Sequence, residues 1–309
     1  MKVRLILSLV LVSVAAACDA GPGADEAPGD PVTVVASFYP LAHAAERVGG
    51  DAVSVTNLTP PGAEPHDLEL TPDDLEAIAT ADVVVYIGGG FQPSIEEAVE
   101  TEASGSTLDA LEGIDLLEPS DHDEHGDPAT VGDLVGDPHV WLDPTIYAAI
   151  VKRVASALGD AAPAVASRVG EAAASFRAEL ESLHGEFRDG LADCRTSVMI
   201  TNHAAFGYLA AAYGLDQEAI SGISPESEPD PARIAELAAE AEADGVTTIF
   251  TEDLVSADVA DTLAREAGLD TAVLSPLEGL TDEQVAAGDD YLSAMQQNLE
   301  ALRDGLVCT

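Results

Sequence analysis

Three of the seven histidines lie in short, unusual sequence settings. His66 follows a proline in Pro-His-Asp, His139 follows a proline in Asp-Pro-His-Val-Trp, and His203 lies in Thr-Asn-His-Ala-Ala-Phe. Neutral imidazole is the most frequent metal ligand in proteins, and three imidazoles with one oxygen form a ligand set typical of zinc. Any one of these residues could instead cap a helix or fill a polar pocket. The three together indicate a metal site.

Two acidic residues in the second half of the chain could complete such a site. Glu278 lies in Ser-Pro-Leu-Glu-Gly-Leu, just beyond the last predicted strand, and could offer a carboxylate oxygen. Glu252 also follows a predicted strand, and it could either orient a ligand imidazole through a hydrogen bond or cap a helix. His43 and His184 lie on predicted helices without evident partners, and we interpret them as structural.

The elements that must position these residues are short apolar strands that alternate with helices. This alternation predicts an α/β fold of parallel sheets flanked by helices. In such sheets the ligand crevice lies beyond the carboxyl ends of the strands, where His66, His203 and Glu278 are expected. The predicted strands cover residues 32–38, 53–58, 83–87, 197–201, 217–223, 247–251 and 271–274.

A long amphipathic pattern separates the two halves of the chain. From Ala161 to about Leu191, apolar residues recur mostly every three or four positions, which predicts one helix. About 30 helical residues would span about 45 Å, so this helix could join two lobes or simply be a long surface helix. The predicted division is a signal peptide at 1–17, a lipidated cysteine and flexible tether at 18–30, an N-terminal lobe at 31–158, a linking helix at 159–192 and a C-terminal lobe at 193–309.

The first residues indicate export. Lys2 and Arg4 precede an almost wholly apolar run at 5–17, which is typical of a secretory signal and too short to span a bilayer. Cys18 directly follows three alanines, as in a bacterial lipobox, where the thiol is acylated after cleavage. Ala15 stands where a lipobox usually has leucine, so simple secretion remains the alternative. We expect an exported lipoprotein, held at the cell surface or in the periplasm by its anchor in the membrane.

Two cysteines remain after Cys18. In an exported protein such a pair most simply forms a disulfide, and Cys194 with Cys308 would join the C-terminus to the second half of the chain. Metal binding by these thiols is the weaker alternative, because the chain has no Cys-x-x-Cys spacing.

The charge of the chain excludes some classes of partner. It has 57 acidic and 12 basic residues, for a formal net charge of −45. Such a surface repels nucleic acid and anionic lipid headgroups, and it attracts cations in general. Adaptation to high salt would give the same balance, so the charge alone identifies no cation.

Several motifs resemble those of one protein family. The segments PGAEPHDLE, DPHVWLDP, TNHAAFGYLAAAYGL, GISPESEPDPARIAEL, IFTEDL and YLSAMQQNL closely resemble the zinc/manganese-binding proteins of bacterial ABC importers. The resemblance covers nearly the whole mature chain, and it implies two α/β lobes joined by one rigid helix with the metal between them. It also implies that His66, His139 and His203 are metal ligands. Glu278 matches a usually acidic position, often aspartate, that is a fourth ligand in some members.

The ligand types favour zinc over manganese. Manganese prefers sites rich in oxygen, and the manganese-binding members typically have glutamate at the position of His203. Zinc-specific members also carry a histidine-rich acidic loop that is thought to gather zinc. His122 and His125, in the acidic segment at 121–128, match that loop, although they could equally belong to a solvated loop without a role.

The resemblance therefore predicts the zinc-binding component of an importer, exported and monomeric, that delivers Zn(II) to an ABC permease and its ATPase. A manganese-binding member of the same family is the alternative within this class. A metal-dependent adhesin and a zinc hydrolase are alternatives from other classes. The chain has neither a His-Glu-x-x-His helix motif nor a His-x-Glu motif with Cys-x-x-Cys, so we expect no enzyme.

Overall fold

Two parallel sheets organise the residues that the structure, a computed structural model, describes: 30–118, 134–225 and 231–309. The N-terminal sheet has the strand order β2-β1-β3-β4, and the C-terminal sheet has the order β6-β5-β7-β8. Every pair of neighbouring strands is parallel, which confirms the predicted fold class. The strands are β1 (Val32–Ala36), β2 (Val53–Asn57), β3 (Val83–Tyr86), β4 (Ser106–Asp109), β5 (Val198–Thr201), β6 (Asp216–Ala219), β7 (Thr248–Thr251) and β8 (Asp270–Val273).

Helices connect and cover the strands. Parallel neighbours need crossover connections, and these helices supply most of them. The helices are α1 (Tyr39–Gly49), α2 (Pro72–Thr80), α3 (Pro93–Glu102), α4 (Pro144–Ala161), α5 (Ala166–Gly190), α6 (Gly207–Tyr213), α7 (Pro231–Asp244), α8 (Asp258–Ala267), α9 (Asp282–Ala287) and α10 (Tyr291–Gly305). Two short 3-10 turns lie at Gly50–Ala52 and Val140–Leu142.

The central strands are continuous apolar runs because helices cover both faces of the sheets. Three of the four residues of β3, Val83 to Val85, are fully buried, and all four residues of β7 are buried. The edge strand β4 was not predicted. Its sequence, Ser-Thr-Leu-Asp, contains one bulky apolar residue, and none of its residues is fully buried. Edge strands of this kind lack the apolar run by which central strands are recognised.

The long helix begins later than predicted. Helix α4 continues to Ala161, and α5 starts at Ala166 instead of Ala161. Pro163 lies in the intervening turn; proline has no backbone N–H, and it disfavours helical geometry in the residue before it. Helix α5 therefore has 25 residues and a length of about 37 Å.

Helix α5 packs against both halves of the molecule. Near its middle, the Phe176 ring lies 5.4 Å from His43 of α1, and Arg47 lies over the same ring. Near its end, Phe187 stacks on Tyr213 of α6 at 5.1 Å. One continuous apolar cluster includes residues of both halves, so the two sheets share part of their core.

A disulfide joins Cys194 and Cys308, which confirms the predicted pair. The two residues also form a backbone bridge, and the amide of Thr309 donates to the carbonyl of Asp193. The last residues after α10 are thereby attached to the segment that leads into β5.

Some predictions concern residues outside the described ranges. The signal peptide at 1–17, the lipidation of Cys18 and the loop histidines His122 and His125 all belong to this group. Within the ranges that the structure does describe, no helix is both long and apolar enough to cross a membrane.

Removing the disulfide should destabilise the fold. The two cysteines are 114 positions apart, and closing a loop of this size restricts the unfolded chain strongly. We expect the Cys194→Ser/Cys308→Ser variant to lose about 2–4 kcal/mol of unfolding free energy, measured by urea denaturation. Wild-type protein under reducing conditions is the matched control and should show the same loss. Equal stability with and without reductant would contradict this expectation.

Candidate metal centre

Four side chains from four separate loops converge on one point. His66, His139, His203 and Glu278 each bring a ligand atom to a group whose members all lie within 4.8 Å of one another. The Nε2 atom of His66 lies 3.3 Å from Oε1 of Glu278, and the Nε2 atoms of His139 and His203 lie 3.2 Å from it. His139 and His203 are fully buried, Glu278 is 1% exposed, and the His66 side chain is 7% exposed. All four residues predicted as a ligand set are therefore neighbours.

These spacings match the size of a zinc coordination shell. Zinc binds nitrogen and oxygen at about 2.0–2.1 Å, and a tetrahedron of that radius has edges of about 3.3–3.4 Å. The three Nε2–Oε1 distances, 3.2–3.3 Å, are edges of this length. In addition, Nε2 of His139 has no hydrogen-bond partner among the described residues, although it is buried and near Oε1. Three of the six edges of such a tetrahedron thus have the expected length, and all the donor atoms lie within 4.8 Å of one another.

The topology explains why these residues meet. His66 lies in the loop after β2, His203 follows β5, and Glu278 lies beyond β8. His139 directly precedes the 3-10 turn that leads into α4. The carboxyl ends of parallel strands carry the ligand site in open α/β sheets, and here two such sheets contribute to one site.

The loop that carries His66 is held from several directions. The carboxylate of Glu64 accepts the backbone N–H of His66 at 3.0 Å. The side-chain amide of Gln92, buried at the start of α3, donates to the carbonyl of Pro65 at 3.1 Å. The Phe91 ring meets the imidazole edge-on at 4.6 Å. These contacts direct Nε2 toward Glu278.

A carboxylate orients the ring of His139. Oδ1 of Asp137 accepts the backbone N–H of His139 at 2.9 Å and lies 2.8 Å from Nδ1 of the same residue. An ionised carboxylate only accepts hydrogen bonds, so Nδ1 carries the proton and Nε2 is left free to bind a metal. Trp141 packs 5.2 Å from the ring and shields it from water.

Glu252 has the same relation to His203. Its Oε1 accepts the backbone N–H of His203 at 3.0 Å, and both of its oxygens lie 2.7 Å from Nδ1. Of the two roles considered for Glu252, helix capping does not apply, because Ala257 is the N-cap of the helix that follows. His43 and His184 lie outside the group and instead contact tyrosine hydroxyls through Nδ1.

Burial and charge shift the pKa values in this group in opposite directions. Burial alone would raise the pKa of Glu278, but the charge on His203 and hydrogen bonds from His203 and His66 lower it well below the usual value. Burial would lower the pKa of His203, yet Glu252 and Glu278 raise it well above 6.5. The pKa of His139 is also raised because its carboxylate partners outweigh burial, whereas burial lowers the pKa of His66. The buried carboxylate thus requires positive charge beside it.

Sequence reasoning missed two acidic residues in this region. Asp137 and Glu64 each stand two residues before a ligand candidate, in the repeated pattern acid-Pro-His, and that repetition was an available signal. The shorter Asp137 reaches Nδ1 of its own histidine, whereas the Glu64 carboxylate lies 3.8 Å from Nε2 of His66. Burial and the nearby charge of Glu278 raise the pKa of Glu64 to about 7.

Known proteins share this sequence pattern. Residues 34–305 match the profile of the family described as zinc-uptake complex component A, periplasmic. The high-affinity zinc uptake system protein ZnuA of Bacillus subtilis is 35% identical over 92% of this chain and 91% of its own length. The zinc-binding protein AdcA of Streptococcus pyogenes is 34% identical over 98% of this chain, and the chain spans 61% of that protein's length.

Known structures share the fold. The Zn(II)-bound ZnuA-like domain of Streptococcus pneumoniae AdcA matches with a TM-score of 0.75 and 34% identity, over 89% of this chain and 99% of that one. These similarities confirm the resemblance drawn from the motifs. The chain belongs to the family of the periplasmic zinc-uptake complex component A.

Proposed function

We propose that this protein is the extracytoplasmic zinc-binding component of an ABC importer, with His66, His139, His203 and Glu278 as the ligands of one Zn(II) ion. The observation that carries the proposal is the spacing of the donor atoms. Three imidazole nitrogens lie 3.2–3.3 Å from one carboxylate oxygen, as the edges of a zinc tetrahedron require. Zinc is the cargo of this protein and is released unchanged.

The ligands divide equally between two proposed lobes, residues 31–158 and 193–309. His66 and His139 belong to the first lobe, and His203 and Glu278 belong to the second. Helix α5, within the linking segment at 159–192, contacts both. A movement that separates the lobes would split four ligands into two pairs. Two ligands hold a metal ion far less tightly than four, so such a movement would release zinc to a permease.

The same arrangement argues against catalysis. A catalytic zinc keeps a coordination position open for water, which becomes the nucleophile. Here four protein ligands would fill the tetrahedral shell, and all four side chains are buried or nearly so. We therefore propose a binding protein and not a zinc hydrolase. An adhesive function has no observation in its favour among the described residues.

The donor types favour Zn(II) over Mn(II). Three of the four proposed ligands are imidazole nitrogens, and each of the two buried rings already has a carboxylate on its other nitrogen. Such partners increase the basicity of the ligand and fix its orientation. Manganese prefers a shell with more oxygen ligands and a higher coordination number.

Location and partners follow from the same proposal. Residues 1–17 would direct export, Cys18 would carry the lipid anchor, and His122 and His125 would gather zinc. The protein would act as a monomer that docks on a membrane permease with its ATPase.

Metal titration tests the ligand set. We expect metal-free protein to bind one Zn(II), and to bind it more tightly than Mn(II), in competition with a chromogenic chelator. His203→Ala should weaken zinc binding by more than about 100-fold, because losing a partner of a ligand alone costs about 10–100-fold. His184→Ala, which removes a histidine of α5 outside the group, is the matched control and should bind as wild type. Tighter Mn(II) binding, or unchanged affinity in His203→Ala, would refute the assignment.

Zinc binding should release protons. The pKa of His203 is raised well above 6.5 by Glu252 and Glu278, so zinc must displace a proton from this ring over a pH range that extends above 6.5. Zinc affinity should therefore fall as the pH falls, beginning above pH 6.5. Calorimetry at pH 7 in two buffers of different ionisation enthalpy measures the number of protons released.

Glu252→Gln provides the variant for this measurement. It removes one of the charges that raise the pKa of His203, so fewer protons should be released and zinc should bind about tenfold more weakly. Glu179→Gln removes a carboxylate that pairs with Arg47, and serves as the control for net charge. Zinc binding without proton release in wild-type protein would contradict the raised pKa of His203.

A further inference from the structure

The segment that leads to Glu278 is held at three successive residues. The backbone of Ser275 is bound on both sides by the side chain of Asn298. The carbonyl of Pro276 accepts a hydrogen bond from the Trp141 indole at 2.8 Å. The N–H of Leu277 donates to the hydroxyl of Ser275 at 3.3 Å. These hydrogen bonds therefore restrain Ser275, Pro276 and Leu277, the three residues that precede Glu278.

Leu277 has a backbone conformation that needs such support. Its φ is +54°, one of two positive values among the described non-glycine residues. L-residues rarely adopt this region, because the side chain crowds the backbone, and they remain there only when their surroundings hold them. Leu277 directly precedes Glu278, and its side chain is fully buried. Its conformation therefore sets the direction in which the next side chain leaves the backbone.

Asn298 makes two of these hydrogen bonds. It lies on α10, is 2% exposed, and uses both ends of its amide: Oδ1 accepts the N–H of Ser275 at 2.8 Å, and Nδ2 donates to the carbonyl of Ser275 at 2.7 Å. These two hydrogen bonds restrict both the position and the orientation of the Ser275 backbone. Asparagine provides the donor and the acceptor that this requires; alanine provides neither.

The Trp141 bond links the segment to the other half of the molecule. Trp141 lies two residues after His139, is fully buried, and has its own carbonyl bound by the Tyr291 hydroxyl at 2.7 Å. Tyr291 and Asn298 both belong to the closing segment YLSAMQQNL. One face of α10 thus contacts the backbone on both sides of the site.

We infer that Asn298 is a positioning residue for the metal site: it holds Ser275 so that Leu277 keeps its left-handed conformation and Glu278 points at the three histidines. The inference rests on the proposed function, since it concerns the fourth ligand. It assigns to the closing helix a role in the geometry of the site in addition to its packing.

A double-mutant cycle tests this role. Asn298→Ala should weaken Zn(II) binding about tenfold and never by more than Glu278→Ala does, because only the contribution of the carboxylate is lost. In a Glu278→Ala background, Asn298→Ala should have no further effect on zinc affinity. The visible absorption of bound Co(II), which reports the ligand set, should shift toward that of Glu278→Ala.

A control on the same helix separates this role from general stability. Leu302→Ala removes a fully buried side chain one turn further along α10, so it should lower the unfolding free energy yet leave zinc affinity and the Co(II) spectrum as in wild type. If Asn298→Ala does not fold, Asn298→Gln provides the second variant, because it keeps an amide but its longer side chain cannot place both ends of that amide on Ser275 in the same way. It should show the same non-additivity with Glu278→Ala.

The possible outcomes distinguish a failure of the proposed ligand set from a failure of the positioning role of Asn298. Unchanged zinc affinity in Glu278→Ala would overturn the proposed ligand set itself. Weakened binding in Glu278→Ala together with wild-type binding in Asn298→Ala would overturn only the positioning role. Full additivity of the two substitutions would also overturn it, because it would show that Asn298 acts independently of the carboxylate.

Discussion

A buried carboxylate between three imidazoles is the interaction on which the rest of the structure depends. Burying an ionised carboxylate is very unfavourable unless positive charge and hydrogen bonds accompany it. At Glu278, the charge on His203 and hydrogen bonds from His203 and His66 hold the pKa of the carboxyl well below its usual value, and a bound divalent cation would supply further positive charge. Four separate loops must all be correctly placed for this one carboxylate to be tolerated.

Two neighbouring carboxylates each fix the orientation of one imidazole ring. Asp137 and Glu252 take the Nδ1 side of His139 and His203, and this leaves the Nε2 atoms directed at Glu278. Both carboxylates also bind the backbone N–H of the same histidine, so each fixes the loop and the ring together. The general acidity of the chain contributes nothing so specific. These two carboxylates act through their position: Asp137 directly precedes a proline and Glu252 directly follows β7.

The residues of the proposed ligand set stand out in the sequence because they have distinctive neighbours. His66 and His139 follow prolines, and His203 follows a strand that is recognisable by its apolar run. The edge strand β4 and the start of α5 at Ala166 were not predicted correctly, since a polar edge lacks periodicity and a proline interrupted a pattern that continued on either side. Asn298 could not be recognised either. Its partner is the backbone of Ser275, 23 positions away, and backbone partners leave no mark in side-chain patterns.

The most direct test of zinc binding by three imidazoles and one carboxylate is X-ray absorption spectroscopy at the zinc edge of the zinc-bound protein. We expect four nitrogen or oxygen ligands at about 2.0–2.1 Å from the zinc, with the outer-shell scattering of three imidazole rings. Fewer than three imidazoles, or a six-coordinate shell dominated by oxygen, would contradict it.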